Sequence, residues 1–549
     1  MNERLFILIV IVGIFLLIIG MEYYQRVKLK QRVKNQWGKI PHQPRFDKEE
    51  SLKSAWQQER SFKKWDSEID DITWYDLDMF QVFELINATY SSVGSEALYQ
   101  QLRNYHWQQD TEIEKLIAYY QEFPHEREKV QYAFAQLGKQ DHNFSKHYLS
   151  NQEKKALGSL PVFILLGILP FIGLFFFFIG QSTGLVLTIG SLVFNTIFYQ
   201  IKKAQLDIEL NSMRYLIQTI ATGKKIAKIS QPLQDDLHAT LKNLKSILYF
   251  GVSFRSKGNS ETEVLFDYLN TMFMLPFISY SFVIRRIRHY QKDAIRLWEI
   301  LGKLEVAAAV LNFRSFMPVT CQPTFKNGQV TAENIYHPLL EKAVMNPVDW
   351  QQTTLVTGSN ASGKSTYVKS IAISCILAQT IQTAIAEKFV IQPGHVLTSM
   401  AVEDNISEGD SYFVAEIKSV KRLLDKVATK EHCYCFVDEI LKGTNTVERI
   451  AASSSIVAWL SQTNSLSMVA THDIELTEIL KTTCENSHFS EQIDEDEGIS
   501  FDYRVKKGAA KTRNAIALLS VLGYPDIIVT NAKHAAQHFD EQRTWLDLN

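Results

Sequence analysis

The residues best suited to chemistry lie in Thr354-Leu355-Val356-Thr357-Gly358-Ser359-Asn360-Ala361-Ser362-Gly363-Lys364-Ser365-Thr366. An apolar run reads as a buried strand, then comes a glycine-bearing turn, then a helix expected from about Lys364 through Gln379. Gly358 and Gly363 let the backbone curl tightly and point its N–H groups inward. Together with the positive end of the helix, those donors form an anion site for phosphates. Lys364 can reach the β- and γ-phosphates of ATP, and the Ser365 hydroxyl can ligate Mg²⁺. The expected nucleotide cradle is therefore Gly358, Ser359, Asn360, Ala361, Ser362, Gly363, Lys364, Ser365 and Thr366. A chance Gly/Ser/Lys loop is the alternative. Strand, loop and helix in the order a P-loop needs argue against it.

Two further strand ends carry polar chemistry downstream. Cys433-Tyr434-Cys435-Phe436-Val437 is apolar and ends in Asp438-Glu439. Asp438 can hold Mg²⁺ through water, together with Ser365. Glu439 can then polarise the attacking water as general base. Ser467-Met468-Val469-Ala470-Thr471 ends in His472-Asp473. His472 can hydrogen-bond the γ-phosphate or the lytic water; a purely structural histidine is the plainer alternative. Glu439, His472 and Lys364 are the expected catalytic residues.

These residues need an α/β domain to hold them, and the 549-residue chain has room for several domains. The net charge of −2 gives no global sign of a polyanion partner, although a local basic groove stays open. Cys321, Cys375, Cys433, Cys435 and Cys484 show no C-x-x-C spacing. A reduced compartment without disulfides or zinc is the simplest reading.

Leu5 to Met21 is long and apolar enough to cross a bilayer, and Arg26, Lys28, Lys30, Arg32 and Lys34 follow it. The positive-inside rule puts the N-terminus outside and the rest in the cytoplasm. For a cleaved signal peptide, the alternative, the basic residues lie on the wrong side. Leu160 to Ile179 and Gly184 to Tyr199 are apolar, with Lys154, Lys155, Lys202 and Lys203 outside them. Such flanks predict a hairpin entering and leaving on the cytoplasmic face; a buried soluble hairpin is the alternative. Pro161 and Pro170 are tolerable in a membrane helix. Leu265 to Ile284 is also apolar but carries Asp267, Asn270 and Pro276, and a crossing there would put the P-loop outside. It is expected to be a buried core helix.

The motifs taken together resemble the ATPase domain of the MutS proteins of DNA mismatch repair, within the ABC ATPase superfamily. The resemblance rests on Gly358–Thr366, Ser411–Glu416, Asp438-Glu439 with Gly443-Thr444-Asn445, and Ala470-Thr471-His472. His337-Pro338-Leu339-Leu340 with Asn346, Gly508-Ala509-Ala510 and Gly523-Tyr524-Pro525 extend it. It implies that Ser411 reaches the partner's γ-phosphate across a homodimer, that Asn445 sits at that interface, and that Tyr503 stacks on adenine. The fold implied is an α/β P-loop NTPase of ABC/MutS type plus a mostly α-helical MutS-like core and lever, with three transmembrane helices. The domains expected are an anchor at 1–22, a basic linker at 23–70 and a first helical core part at 71–150. A transmembrane hairpin at 155–203, a second core and lever part at 204–315 and the ATPase at 316–549 complete them.

The departures also shape the reading. The loop lacks the usual Met-Gly-Gly, and Phe539-Asp540-Glu541 matches the mismatch-reading Phe-x-Glu only by accident. A hairpin stands where the family inserts its DNA clamp, so the chain looks most like the membrane-attached MutS-like branch. The function implied is a cytoplasmic-membrane ATPase that couples hydrolysis to mismatched or structured DNA in repair, or to an unknown protein partner. The alternative is a membrane-remodelling or scaffolding ABC-type ATPase without DNA; Leu-Ser-Gly-Gly-Gln, the transporter signature, is absent from the sequence.

Overall fold

A computed structural model describes the chain except residues 1–2, 42–47, 61–62, 109–110, 141–144, 146–148, 150–157, 255–260, 360–361, 401–411, 495–497, 511–515, 517–518, 521–522 and 548–549. The described residues form two compact units. One comprises 1–64, 85–100 and 110–316; the other comprises 65–84, 101–109 and 317–549.

The first unit is helical. Its spine is the helix Gln291–Phe316, whose buried side includes Leu297, Leu301, Leu304, Ala308 and Leu311 at helical spacing. Glu305 on that helix is fully buried, and its carboxylate accepts the Tyr90 N–H at 2.6 Å and the Ser91 N–H at 3.2 Å. It also takes the Ser91 hydroxyl. The charge therefore meets the N-terminal end of the helix beginning at Ser92, where backbone donors are otherwise orphaned. Burial still pushes this carboxyl up to about 7. Close approach is allowed by small residues: a Cβ on Gly302 would lie 2.6 Å from the Ala97 methyl.

From the same unit project the helices Leu160–Phe178 and Thr183–Ile226, joined by a short turn. Among the described residues these two are long and apolar enough to cross a membrane. They pack through glycines, since a Cβ on Gly173 would lie 2.6 Å from Thr188 Oγ1. The second helix is kinked at Leu206. Leu5 to Met21, the third expected span, is helical within Glu3–Gln36, but most of its side chains lie outside the described residues. The single core helix expected over Leu265 to Ile284 is instead two helices, Glu261–Met272 and Leu275–His289. Pro276 has no N–H to continue the first helix and is at home at the start of the second.

The second unit is built on a six-stranded sheet. Its order is Lys506–Lys507, Glu485–His488, Thr354–Thr357, Ser465–Thr471, Cys433–Asp438 and His395–Ser399. All neighbours are parallel except the Lys506–Lys507 edge. Central strands buried on both faces read as continuous apolar runs, which is what Thr354–Thr357 and Cys433–Val437 supply. Leu423, Val427, Val457 and Leu460 from the flanking helices close one face over Leu355, Cys433, Cys435 and Val469. All five cysteines are free. A smaller sheet orders Thr324–Phe325, Lys388–Ile391, Val330–Ile335 and Asn346–Trp350.

Residues 65–84 and 101–109, from the early part of the chain, pack into this α/β unit. They cover the sheet edge at His395–Ser399. Asp76 accepts the Thr398 hydroxyl at 2.6 Å and the Met400 N–H at 2.9 Å, and Ser67 Oγ meets His395 Nδ1 at 2.8 Å. Arg103, fully buried, lies over the Trp74 ring at 4.2 Å. An edge strand is thereby blunted by a segment of its own chain.

Candidate functional site

Strand register brings the chemistry together. Ala470 pairs with Val356 on one side and with Asp438 on the other. The P-loop, Asp438-Glu439 and His472 therefore leave the sheet side by side at its carboxyl edge, where ligands of open parallel sheets bind. Gly358 has φ +144° and Gly363 φ +102°, and a Cβ on Gly358 would lie 2.7 Å from the Phe489 carbonyl oxygen. Both positions thus demand glycine. The helix Lys364–Thr380 starts directly after Gly363 and is buried along most of its length.

Lys364 is the buried cation of the site. Its ammonium donates to the carbonyls of Gly358 and Ser359, each at 2.8 Å, and lies 3.3 Å from His472 Nε2. Burial pulls its pKa down to about 8, against the opposing pull of Asp438 and Glu439. Glu439 meets His472 Nε2 at 2.9 Å and the Lys442 ammonium at 2.8 Å. The His472 hydrogen bond is the main reason its carboxyl falls to about 2. Glu439 also sits at φ +55°, an uncommon conformation for a residue with a side chain, held by its N–H bond to the Ala470 carbonyl at 2.9 Å.

Of the expected cradle, Gly358, Ser359, Ser362, Gly363, Lys364, Ser365 and Thr366 are described; Asn360 and Ala361 lie outside the described residues. Ser362 Oγ donates to the Ser359 carbonyl at 2.8 Å and so braces the loop. Asp438 is half-buried at its strand end, and Ser365 lines the cleft. A hydroxyl and a carboxylate are hard oxygen donors that suit Mg²⁺, which takes few protein ligands beside phosphate and water.

A cleft of about 530 Å³ runs from the loop past His337, Asn346, Tyr367, Phe489 and Tyr503. Tyr503 stands on its wall, its ring 5.7 Å from Phe501 in a stacked arrangement. Asn346 holds the backbone there, donating to the Tyr503 carbonyl at 2.9 Å and accepting the Val505 N–H at 2.9 Å. His337 is buried and its pKa drops to about 4, so it is a neutral wall. Asn445 is not at the cleft: it is exposed and caps the helix Thr446–Leu460 by accepting the Glu448 N–H at 3.0 Å. Ser411 lies outside the described residues.

Several contributors were not singled out as site residues from sequence. Glu416 is buried and accepts the Lys442 N–H at 2.8 Å and the Gly443 N–H at 3.4 Å, fixing the loop after Glu439. Arg449 grips Asp473 through two bonds of 2.9 and 2.6 Å and so tethers the residue beside His472. Glu491 accepts the Ser359 hydroxyl at 2.8 Å. Glu416 had a signal, since it closes the Ser411–Glu416 motif. The roles of Arg449 and Glu491 depend on pairing across the fold, which local spacing does not reveal.

Comparison with known proteins agrees with this geometry. The MutS domain V family matches residues 354–540. The chain is 29% identical over 250 residues to the DNA mismatch repair protein MutS of Natronomonas pharaonis, covering 44% of this chain. That match spans 28% of the archaeal protein, so the chain corresponds to less than a third of that relative's length. A P-loop, a strand-end Asp-Glu pair and a facing histidine stand on one sheet edge inside that matched region, so residues 354–540 are similar to MutS domain V in both sequence and site.

Proposed function

We propose that this chain is a membrane-anchored, Mg²⁺-dependent ATPase that hydrolyses ATP at sites shared between two copies of itself. The convergence of Lys364, Glu439 and His472 beside the P-loop carries the reading. Lys364 exchanges the carbonyls of Gly358 and Ser359 for the β- and γ-phosphates, while loop N–H groups hold the remaining phosphate oxygens. Ser365 and Asp438 would hold Mg²⁺, which would supply positive charge against the phosphates. Glu439 is ionised and orients the attacking water, taking its proton. His472, now on Glu439, is within reach of the same site and turns to the γ-phosphate. Tyr503 offers its ring to the base; Ser411 and Asn445 serve the partner's site.

The anchor at 1–22 and the hairpin at 155–203 hold the chain in the cytoplasmic membrane, with the N-terminus outside and the ATPase inside. The relative's name brings mismatched or structured DNA forward as the ligand driven by the cycle. A second reading, membrane remodelling or scaffolding of a protein partner without DNA, is favoured by the exposed apolar flank of the hairpin, including Phe171, Phe175 and Phe178.

Purified full-length protein in detergent tests both levels. Turnover should require Mg²⁺, and Glu439→Gln should keep ATP binding while losing about 10²-fold or more in rate. Unchanged turnover in that variant rejects the assignment. Duplex affinity that falls steeply with salt selects the DNA reading, and no duplex binding at low salt selects the second.

A further inference from the structure

The break in the apolar stretch Leu265 to Ile284 lies against the hairpin, partway along it. The Phe273 ring stacks on Phe171 at 4.8 Å, and Phe277 stacks on Phe163 at 4.9 Å and meets Tyr199 edge-on at 5.2 Å. Gly167 faces the break so closely that a Cβ there would lie 2.6 Å from the Phe273 carbonyl oxygen. Phe171 stands eleven residues from Leu160 and seven from Phe178, about 16 and about 10 Å at the helical rise. The whole helix is ~28 Å long, close to the ~30 Å of a hydrocarbon core. A hairpin that crosses the bilayer therefore carries the Phe273–Met274 break to mid-membrane with it.

The backbone at the break is prepared for a place without water. Asn195 is fully buried, and its Nδ2 donates to the Leu166 carbonyl at 2.8 Å and to the Met272 carbonyl at 2.8 Å. The Leu166 carbonyl has lost its helical donor to a proline, and the Met272 carbonyl stands at the end of its helix. The residue four beyond Leu166 is Pro170, which has no N–H. One amide thus satisfies two carbonyls, one orphaned by Pro170 inside its helix and one by the helix end at Met272. In water such carbonyls are solvated at little cost, whereas in hydrocarbon each needs a protein donor. Asp267, the charge nearest the break on the first helix, is half-buried, as an ionisable group at membrane depth is expected to be. Tyr268, Leu269 and Leu275 are exposed and extend the apolar surface of Phe171 and Phe175.

We propose that the corner from Tyr268 to Phe277 is a re-entrant element that enters the bilayer beside the hairpin and turns back, with Tyr268, Leu269 and Leu275 against acyl chains. The inference rests on the reading that the hairpin enters a membrane. A re-entrant corner adds no crossing, so the chain after it returns to the face it left.

The test uses the full-length chain in phosphatidylcholine–phosphatidylglycerol vesicles, with Cys321→Ser removing the half-buried thiol; the other four cysteines are buried. Single cysteines at Leu269, Leu275, the hairpin-tip residue Phe178 and the exposed Tyr249 carry an environment-sensitive NBD fluorophore. Leu269, Leu275 and Phe178 should emit to the blue of Tyr249 and be quenched severalfold more by nitroxides on the acyl chains. Phe178 in lipid with Leu269 and Leu275 in water overturns the corner and leaves the hairpin reading intact. Phe178 in water removes the membrane reading itself, and the corner with it.

Discussion

The imidazole of His472 is bonded to the carboxylate of Glu439 at 2.9 Å across the ends of two neighbouring parallel strands. A carboxylate only accepts, so the proton sits on His472 Nε2. The same nitrogen lies 3.3 Å from the Lys364 ammonium, which links the phosphate-binding and water-activating halves of the site through one ring.

His472→Ala should therefore cut single-turnover hydrolysis by about 10²-fold, the scale of a lost acid–base partner, while nucleotide affinity changes less than about threefold. Glu439 stays ionised at any workable pH, since its carboxyl is held at about 2. Glu439 should therefore contribute no acid limb to the pH–rate profile above about pH 4. Hydrolysis and fluorescent-nucleotide binding measured side by side check this; an unaltered rate would make His472 a structural residue.

Lys364 sets a second pH dependence. Its ammonium is charged below about 8 and neutral above. Binding of a non-hydrolysable ATP analogue should weaken as pH rises through that value, by up to about tenfold per unit. Lys364→Arg keeps its charge and should flatten the curve. The linkage to folding has the opposite sense: a lysine depressed in the folded state adds stability as pH rises from about 8 toward its ordinary 10.5. Binding titrations between pH 6.5 and 9.5 decide the first point and denaturant melts the second.

Glu416 supports the loop on which Glu439 stands. Glu416→Ala leaves the Lys442 and Gly443 N–H groups without their part-buried acceptor, at about 1 kcal/mol, the net scale of an ordinary hydrogen bond. A lower melting temperature together with slower turnover is expected, with Glu416→Gln between the two. Wild-type turnover in Glu416→Ala would show that the loop holds itself.

The strand, loop and helix at 354–380 were legible because glycines at fixed offsets and an apolar run leave little choice. That Asp438-Glu439 and His472 would join them was expected from their places at strand ends downstream of the P-loop; the register that sets them side by side came from the structure. The cover over the His395–Ser399 edge was not legible, because Asp76 and Arg103 find partners hundreds of residues away or inside the fold. Nor was the break at Met274, a non-glycine residue at φ +57°. Pro276 was visible, but the same proline is compatible with a kink, a start or a tolerated interior site. Asn445 was placed by resemblance at an interface; within one chain it is exposed and caps its own helix.

The shared site remains the sharpest prediction, because Ser411 falls outside the described residues and its role comes from resemblance. It lies between Glu408-Gly409-Asp410 and the helix Tyr412–Val427. A hydroxyl and free N–H groups at a helix start suit a γ-phosphate. The exposed Asn445 and its helix offer a second surface to a partner. ATP should therefore drive full-length Glu439→Gln protein in detergent from monomer to dimer, read by light scattering. Ser411→Arg should abolish that dimerisation as well as turnover. Mixing Lys364→Ala and Ser411→Arg subunits should restore about one working site per mixed dimer, since each variant spoils the opposite half. No recovered activity in proven mixed dimers, or full wild-type activity in a chain that stays monomeric, would count against a site shared between two copies.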